Sequence, residues 1–279
     1  MTYDELVTAV QDYCENTFPT ADMNTMIRQA EQNIYNTVQI ANLRKNVTGS
    51  LTVGNKYLSC PNDFLSVYSL AVYAYVTPTG TGTSGQSTIV VSSASGISSG
   101  MYVTGNGIGT DATVSSVVGT TVTLSVANSG TVSGTITFQG DYLYLLNKDV
   151  NFMREAYPNP SFKGVPRYYA IFGPQSNDIN ELSFILGPTP DLSYNAELHY
   201  YYYPESIVDA QTTWLGDNFD TALLNGVMME AITYMKGEQE MVQLYQNRYV
   251  QAISLLKNLG DGKQRMDAYR DGQVRNPVK

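Results

Sequence analysis

Two blocks of the chain, one near each end, place apolar residues at intervals of three and four. In the first block the intervals predict helices over 2–16 and 22–42, separated by Pro19. This spacing lines one face of a helix with apolar side chains, which are then buried against another element. Thr2 and Glu5 have the spacing of a capping box at the start of the first helix. The short connection favours an antiparallel helix pair.

The second block covers 217–259 and predicts a long helical segment. It follows a predicted tyrosine-rich strand, 196–203, and a loop that contains the single tryptophan, Trp214. Gly237 lies inside the block, and a glycine within a helix costs about 1 kcal/mol. The pattern therefore leaves open whether the helix breaks at Gly237 or is only weakened there. The apolar positions are Phe219, Leu223, Val227, Ala231, Met235, Met241, Leu244, Tyr245, Tyr249, Ala252, Leu256 and Leu259.

Between the two blocks, over 47–76 and 141–203, the pattern is that of strands. Gly54 and Asn55 separate two short runs, 50–53 and 56–59, and predict a two-residue hairpin turn between them. A short helix is predicted over 147–157, before two prolines. Further strands are predicted at 67–76, 167–172 and 181–186.

The composition changes abruptly over 78–140. Asp111 is the single charged residue there, and twelve of the 23 glycines fall in this segment. β-Branched residues alternate with polar ones, which favours a small all-β module, a sandwich or a barrel, over a disordered Gly/Ser linker. Five short strands are predicted, at 88–92, 101–104, 113–118, 121–126 and 135–138.

The flanks of this segment predict how it is attached. Without 77–140, the runs 71–76 and 141–146 become the two arms of one hairpin, and hairpin tips tolerate insertions. The predicted fold class is therefore α+β. It consists of a helical bundle, made by the N-terminal helix pair and the long C-terminal helices, a β-sheet region, and an inserted Ig-like or barrel module at 77–140. An extended tail is predicted at 260–279.

Composition and charge exclude several classes of protein. The net charge of −9 argues against a sequence-reading nucleic-acid binder, which usually carries a basic patch. Two cysteines, Cys14 and Cys60, and one histidine form no disulfide framework or metal site. We expect neither a signal peptide nor a membrane span, and synthesis in a cytoplasm. Abundant tyrosine and methionine with few charges is typical of interface cores.

Three patterns with possible chemistry have simpler interpretations. Gly80, Gly82 and Gly85 match a dinucleotide fingerprint, but β structure rather than a helix follows them, which favours a flexible linker. His199 and Glu197 share a strand face as a general base and its orienter would, yet no nucleophile motif accompanies them. The tyrosines at 200–203 could stack on sugars or bases, but interface contacts are favoured. No catalytic, cofactor or metal site is predicted.

A family resemblance makes the structural interpretation specific. One group of residues that carries it runs from Leu145 to Ala170, with Asn147-Lys-Asp-Val-Asn-Phe-Met-Arg154 at its centre. Another is Leu186-Gly-Pro-Thr-Pro190 followed by Tyr200-Tyr-Tyr-Tyr-Pro204. A further group is Trp214-Leu215, Leu223-Leu-Asn-Gly-Val227, Tyr245, Tyr249 and Ala252. In this order, over 1–76 and 141–260, the chain resembles the head-to-tail adaptor (connector or neck) proteins of tailed bacteriophages.

The resemblance implies a virion structural protein without catalytic activity, made in the host bacterial cytoplasm and located at the head–tail neck. Such a protein forms a ring of twelve subunits that binds the portal protein and a tail nozzle or next neck protein. DNA passes through the ring without specific binding. The tail residues implied to bind the portal are Lys263, Arg265, Arg270 and Arg275. The residues implied to make subunit or tail contacts are Tyr200, Tyr202, Trp214, Tyr245 and Tyr249.

Two other functions stay open at this point. The protein could be a virion decoration or host-adhesion protein that binds glycan through the module at 77–140. A hydrolase that uses His199 and Glu197 is disfavoured because the nucleophile is missing.

Overall fold

The computed structural model describes residues 1–38, 41–173 and 182–265, with side chains as far as residue 258. Seven α-helices and a large, mainly antiparallel sheet in these residues make the fold α+β, which confirms the predicted class at that level. The chain forms two compact units. We call Met1–Lys45 with Tyr201–Lys279 the helical unit, and Asn46–Tyr200 the sheet unit.

The helical unit joins the two ends of the chain. Both bonds of the capping box predicted at its start are present: the Glu5 N–H donates to Thr2 Oγ1 at 3.3 Å, and the Thr2 N–H donates to Glu5 Oε2 at 2.8 Å. The helices of this unit are α1 (Tyr3–Cys14), α2 (Thr20–Thr37), α4 (Ile207–Ala210), α5 (Trp214–Asn218), α6 (Asp220–Tyr234) and α7 (Gln239–Arg265). A 3₁₀ turn, Ala41–Leu43, ends its N-terminal part.

One hydrophobic core holds α1, α2, α6 and α7 together. The predicted stripe of α2 is confirmed as its buried face, but α2 ends at Thr37 rather than at 42 because Val38 has extended backbone angles. Burying one such side chain contributes roughly 1.5–3 kcal/mol. Among the fully buried members are Leu6, Met23, Ile27, Ile34, Leu223, Val227, Ala231 and Leu256.

The predicted helical block at 217–259 is divided among three helices. Thr213 caps α5 by accepting the Gly216 N–H, and Phe219 separates α5 from α6. The break near Gly237 is real, but the residue with left-handed angles is Lys236, at φ 55°. The prediction of an extended tail from 260 is wrong as far as residue 265, because α7 continues to Arg265.

The sheet unit contains three sheets and one helix, α3 (Val150–Ala156), in its described residues. Asp149 caps α3 by accepting the Phe152 N–H. The strands are β1 (Arg44–Ser50), β2 (Tyr57–Ser59), β3 (Ser66–Val76), β4 (Thr79–Gly82), β5 (Thr88–Val91), β6 (Tyr102–Gly105), β7 (Val114–Val118), β8 (Thr121–Leu124), β9 (Val132–Gln139), β10 (Leu143–Tyr144), β11 (Leu146–Asn147), β12 (Lys163–Gly164), β13 (Tyr168–Phe172), β14 (Ser183–Gly187), β15 (Thr189–Pro190) and β16 (Tyr194–Tyr201).

Strand order shows that the predicted hairpin at Gly54 and Asn55 is wrong. The largest sheet has the order β1-β16-β3-β9-β4-β5-β8-β7, with β10 beside β3 and β6 beside β9. A second sheet has the order β11-β13-β14-β2, and β12 pairs with β15. The turn itself forms, with Gly54 at φ 78°, but β1 and β2 lie in different sheets. Each finds a partner more than a hundred residues away: the Leu51 N–H donates to the Tyr194 carbonyl, and the Cys60 N–H to the Leu182 carbonyl.

The strands predicted within 77–140 are confirmed as β5 to β9, and β4 was missed. β4 contains Gly80 and Gly82, which the sequence assigned to a linker. A Cβ on Gly80 would lie 2.5 Å from Ile136 Cδ1, so the glycine permits the close approach of strand and core. The core of this segment is formed by Ile89, Val91, Met101, Val103, Val114, Val122, Leu124, Ile136 and Phe138, among others.

The two predicted hairpin arms pair as antiparallel strands. Leu143 of β10 faces Val72 of β3, and Tyr144 faces Ala71. Beyond them, Gln139 of β9 faces Tyr75, so the strands of 77–140 continue the same sheet. The pairing of the arms is confirmed, while the interpretation of 77–140 as an inserted module stays a proposal.

Candidate functional site

An apolar groove lies in the helical unit among α1, α6 and α7. It encloses about 410 Å³, and its walls include Tyr13, Leu224, Met228 and Leu255. Tyr245 lies in the groove with the Arg248 guanidinium 5.5 Å from its ring centroid. The wall also contains the polar residues Thr221, Asn225, Arg248 and Gln251, and Asn225 Nδ2 donates to the Thr221 carbonyl at 2.7 Å. The groove is therefore suited to an apolar side chain rather than to catalysis.

Helix α7 has apolar side chains on two sides. Tyr245, Ala252, Ile253 and Leu256 are buried in the core. Another set points to solvent: Met241, Leu244, Val250 and Leu255, the last with 66% of its surface exposed. Adjacent Leu255 and Leu256 thus have opposite environments. We call Met241, Leu244 and Leu255 the outer face of α7; Val250 is exposed on another side of the helix. Exposed apolar groups beside an apolar groove are typical of an interaction surface.

The five aromatic residues implied to make interface contacts are not brought together. Tyr200 is 1% exposed in the core of the sheet unit, where its hydroxyl donates to Asp63 Oδ1 at 2.7 Å. Trp214 is half-buried against Phe219, with ring centroids 5.8 Å apart. Tyr245 lines the groove, and Tyr202 lies under the Lys45 ammonium at 5.2 Å. Tyr249 is half-buried, and burial raises the pKa of its hydroxyl.

Four basic residues implied to bind the portal fall at the C-terminal end. Lys263 and Arg265 belong to the last turns of α7. Arg270 and Arg275 lie outside the described residues.

His199 and Glu197 lie on one face of β16 and have mainly neutral neighbours. The His199 ring packs against the edge of Tyr68, with centroids 4.9 Å apart. Glu197 Oε1 accepts a hydrogen bond from Asn46 Nδ2 at 2.9 Å. A hydrogen bond to Glu197 raises the pKa of the Tyr142 hydroxyl to about 12. This arrangement stabilises a sheet face.

Sequence reasoning did not identify Tyr13, Leu224, Met228 or Leu255, and it placed Met241 and Leu244 in the apolar stripe of the predicted helix, although both are exposed. The sequence does contain an indication of the exposed residues of α7: 239–256 has more apolar residues than one face of a helix can hold. Within the described residues, none of the helices is both long and apolar enough to cross a membrane. The same part of the chain holds no cluster of three or more potential metal ligands.

The family model for the SU10 adaptor protein matches the chain over two overlapping segments, 1–146 and 109–277. The chain belongs to the SU10 adaptor protein family. SU10 adaptor proteins are bacteriophage structural proteins, and the membership makes this chain a component of the virion that interacts with other virion proteins such as portal and tail. The family is generally non-enzymatic. The predicted resemblance to phage adaptors is thereby confirmed. None of the curated proteins matches the chain.

Proposed function

We propose that this chain forms a ring of twelve subunits between the portal and the tail, and that the ring continues the DNA channel. The observation that carries the proposal is the outer face of α7 beside the apolar groove. Both are on the helical unit, and in a ring each could be covered by the neighbouring subunit. The groove and the outer face of α7 share Leu255, so together they form one continuous surface. If the neighbouring subunit covers this surface with a different part of its own chain, the contact is head-to-tail and closes into a ring when the rotation is right.

The charge of the chain suits a DNA channel. With 25 acidic and 16 basic residues, the protein repels the DNA phosphates instead of binding them. The basic residues Lys263, Arg265, Arg270 and Arg275 are concentrated at the C-terminal end, and we propose that they bind an acidic surface of the portal. The helices would form a bundle around the channel, and the sheet unit would meet the tail or the next neck protein. In this arrangement 77–140 is an Ig-like or barrel insertion.

Matched lysine substitutions test the ring. Leu255→Lys places a charge on the outer face of α7 without emptying the core, because the side chain is 66% exposed. We expect assembly with purified portal protein, measured by native mass spectrometry, to weaken at least about tenfold, as for a central interface residue. The control is Val118→Lys in the sheet unit, where the native side chain is 76% exposed; it should assemble normally.

Equal assembly of both variants would contradict the assigned contact. The absence of this protein from purified virions would contradict the adaptor function itself.

A further inference from the structure

One face of the large sheet presents a continuous group of tyrosines. We call Tyr73, Tyr75, Tyr102, Tyr142 and Tyr144 the tyrosine face. The ring of Tyr73 lies 4.5 Å from that of Tyr142 and 6.3 Å from that of Tyr75. Across the sheet, Gln139 of β9 is opposite both Tyr75 of β3 and Tyr102 of β6. Residues opposite each other on neighbouring strands share a face, so this row joins the three strands.

The tyrosine face is accessible on one side and supported by a core on the other. Tyr75, Tyr102, Tyr142 and Tyr144 are between 39% and 64% exposed. Behind them, Val103, Ile136 and Phe138 are buried, which fixes the strands that carry the rings. Exposed tyrosines on a rigid sheet offer a large contact area with little loss of side-chain entropy, and they are enriched at the centres of protein interfaces.

The segment that carries the tyrosine face, 66–147, contains only negative charges in its sequence. Between residues 66 and 147 the charged residues are Asp111 and Asp141, and the sequence has no lysine or arginine there. Tyr102 donates to Asp111 at 3.5 Å, and Glu197 accepts from the neutral Asn46. The salt bridge found among the described residues, Arg28–Asp209 at 3.0 Å, lies in the helical unit and does not involve the tyrosine face. Asp111 and Glu197 thus place carboxylate groups beside the rings of Tyr102 and Tyr142.

We propose that the tyrosine face docks a lysine- or arginine-bearing surface of another virion protein. Cations pack favourably over tyrosine rings, and the guanidinium group also pairs with carboxylates. A second copy of this chain is the weaker match, because a protein of net charge −9 meets an acidic face with repulsion. The inference rests on the proposed function in one respect: the partner is assumed to be another virion protein.

Hydroxyl-radical footprinting tests what covers the face. Oxidation of Tyr75, Tyr102 and Tyr144 is measured in the purified protein, in its self-assembled form and in purified virions. We expect strong oxidation in the first two samples and a several-fold decrease in virions, with unchanged oxidation of Val118. Protection in the self-assembled sample would assign the face to a second copy and overturn the proposal. Full oxidation in virions that contain the protein would overturn it as well, without affecting the adaptor function.

Two substitutions of opposite charge at Gln139 test whether the partner surface is positively charged. Gln139 lies between Tyr75 and Tyr102 and is half-buried. The variants are supplied to a phage from which the gene for this protein has been deleted. We expect Gln139→Lys to lower the infectious titre at least about tenfold relative to the wild-type protein, because like charges across an interface are strongly unfavourable. Gln139→Glu should retain the titre. Equal effects, or the reverse order, would overturn a cationic partner; circular dichroism of both purified variants verifies their folding.

Discussion

Glu31 is a buried carboxyl group in the helical unit, only 3% exposed. Its Oε1 accepts the Ile207 N–H at 2.9 Å, at the start of α4. Burial raises the pKa of this carboxyl group, and hydrogen bonds from Ser206 and Ile207 oppose the rise. Because the folded state holds the proton more tightly than the unfolded chain, this group stabilises the fold most at acidic pH.

The corresponding prediction concerns Glu31→Gln. The wild-type free energy of unfolding should fall as pH rises from the ordinary glutamate pKa, about 4.3, through the raised folded value. The Gln variant keeps the acceptor for Ile207 and should lack this decline, so it should be the more stable protein at pH 7. Urea denaturation across this pH range measures the difference. An exposed residue of α3 supplies the control, Glu155→Gln, which should leave the profile unchanged.

A second substitution at Glu31 separates charge from hydrogen bonding. Glu31→Leu leaves the Ile207 N–H buried without its acceptor and should cost about 1–3 kcal/mol. A Gln variant as destabilised as the Leu variant would show that the charged form is needed.

The burial of individual side chains could not be predicted from the sequence alone. The tyrosine strand was predicted, but its sequence does not state which face is covered: Tyr200 is buried, while Tyr202 packs beneath Lys45. In α7, Leu255 and Leu256 are chemically identical and adjacent, yet one is exposed and the other fully buried. Side-chain environment depends on distant elements, and the local pattern carries that information only where apolar residues fill one stripe.

At the scale of elements, the junction between α6 and α7 shows how local geometry ends a helix. The Gly237 N–H donates to the Ile232 carbonyl and the Lys236 N–H to the Thr233 carbonyl, as in a Schellman motif. The left-handed position of that motif is Lys236, where glycine would be free of strain. Gly237 itself is constrained by packing, since a Cβ there would lie 2.7 Å from Ile232 Cγ2.

Two substitutions at this junction should have opposite effects. Lys236→Gly should stabilise the protein by about 1 kcal/mol, because a left-handed L-residue costs roughly 1–2 kcal/mol and glycine costs less. Gly237→Ala should destabilise it, because the new methyl group has to displace Ile232. Thermal unfolding of both variants beside the wild type measures the two shifts. Stabilisation by both changes, as ordinary helix propensity would give, would contradict this account.

Elements were predictable from the sequence where their cause is local. The two N-terminal helices, the capping box and the strands of 77–140 follow from periodicity and from nearby turns, and they are confirmed. The predicted antiparallel pairing of the two helices is not, because each of them packs mainly against α6. The hairpin at Gly54 failed because the turn fixes only the direction of the chain, whereas the partners of β1 and β2 are β16 and β14. Strand β4 was missed because Gly80 is required by packing against Ile136, which lies more than fifty residues away, and Gly82 by packing against Ile89 and Asn128.

At the scale of the whole molecule, the segment 77–140 has its own core. The buried residues from Ile89 to Phe138 contact one another, and from the flanking strand Ala74 and Val76 pack against them. Removing 77–140 therefore removes this core as a whole. The remaining strand β3 and residue Tyr142 are then connected by residues 74–76 and 141, which suits a four-residue hairpin loop.

Deletion of 77–140, with Val76→Thr to avoid a new exposed apolar residue, tests whether portal assembly is independent of this segment. The apolar groove and the outer face of α7 belong to the helical unit, so the shortened protein should still assemble with purified portal protein in native mass spectrometry. It should fail to restore infectivity to a phage lacking the gene, because Tyr102 and the rest of β6 are lost from the tyrosine face. Loss of portal assembly by a variant whose helical content is unchanged in circular dichroism would place the adaptor contact in 77–140. Full infectivity would instead show that no essential partner binds there.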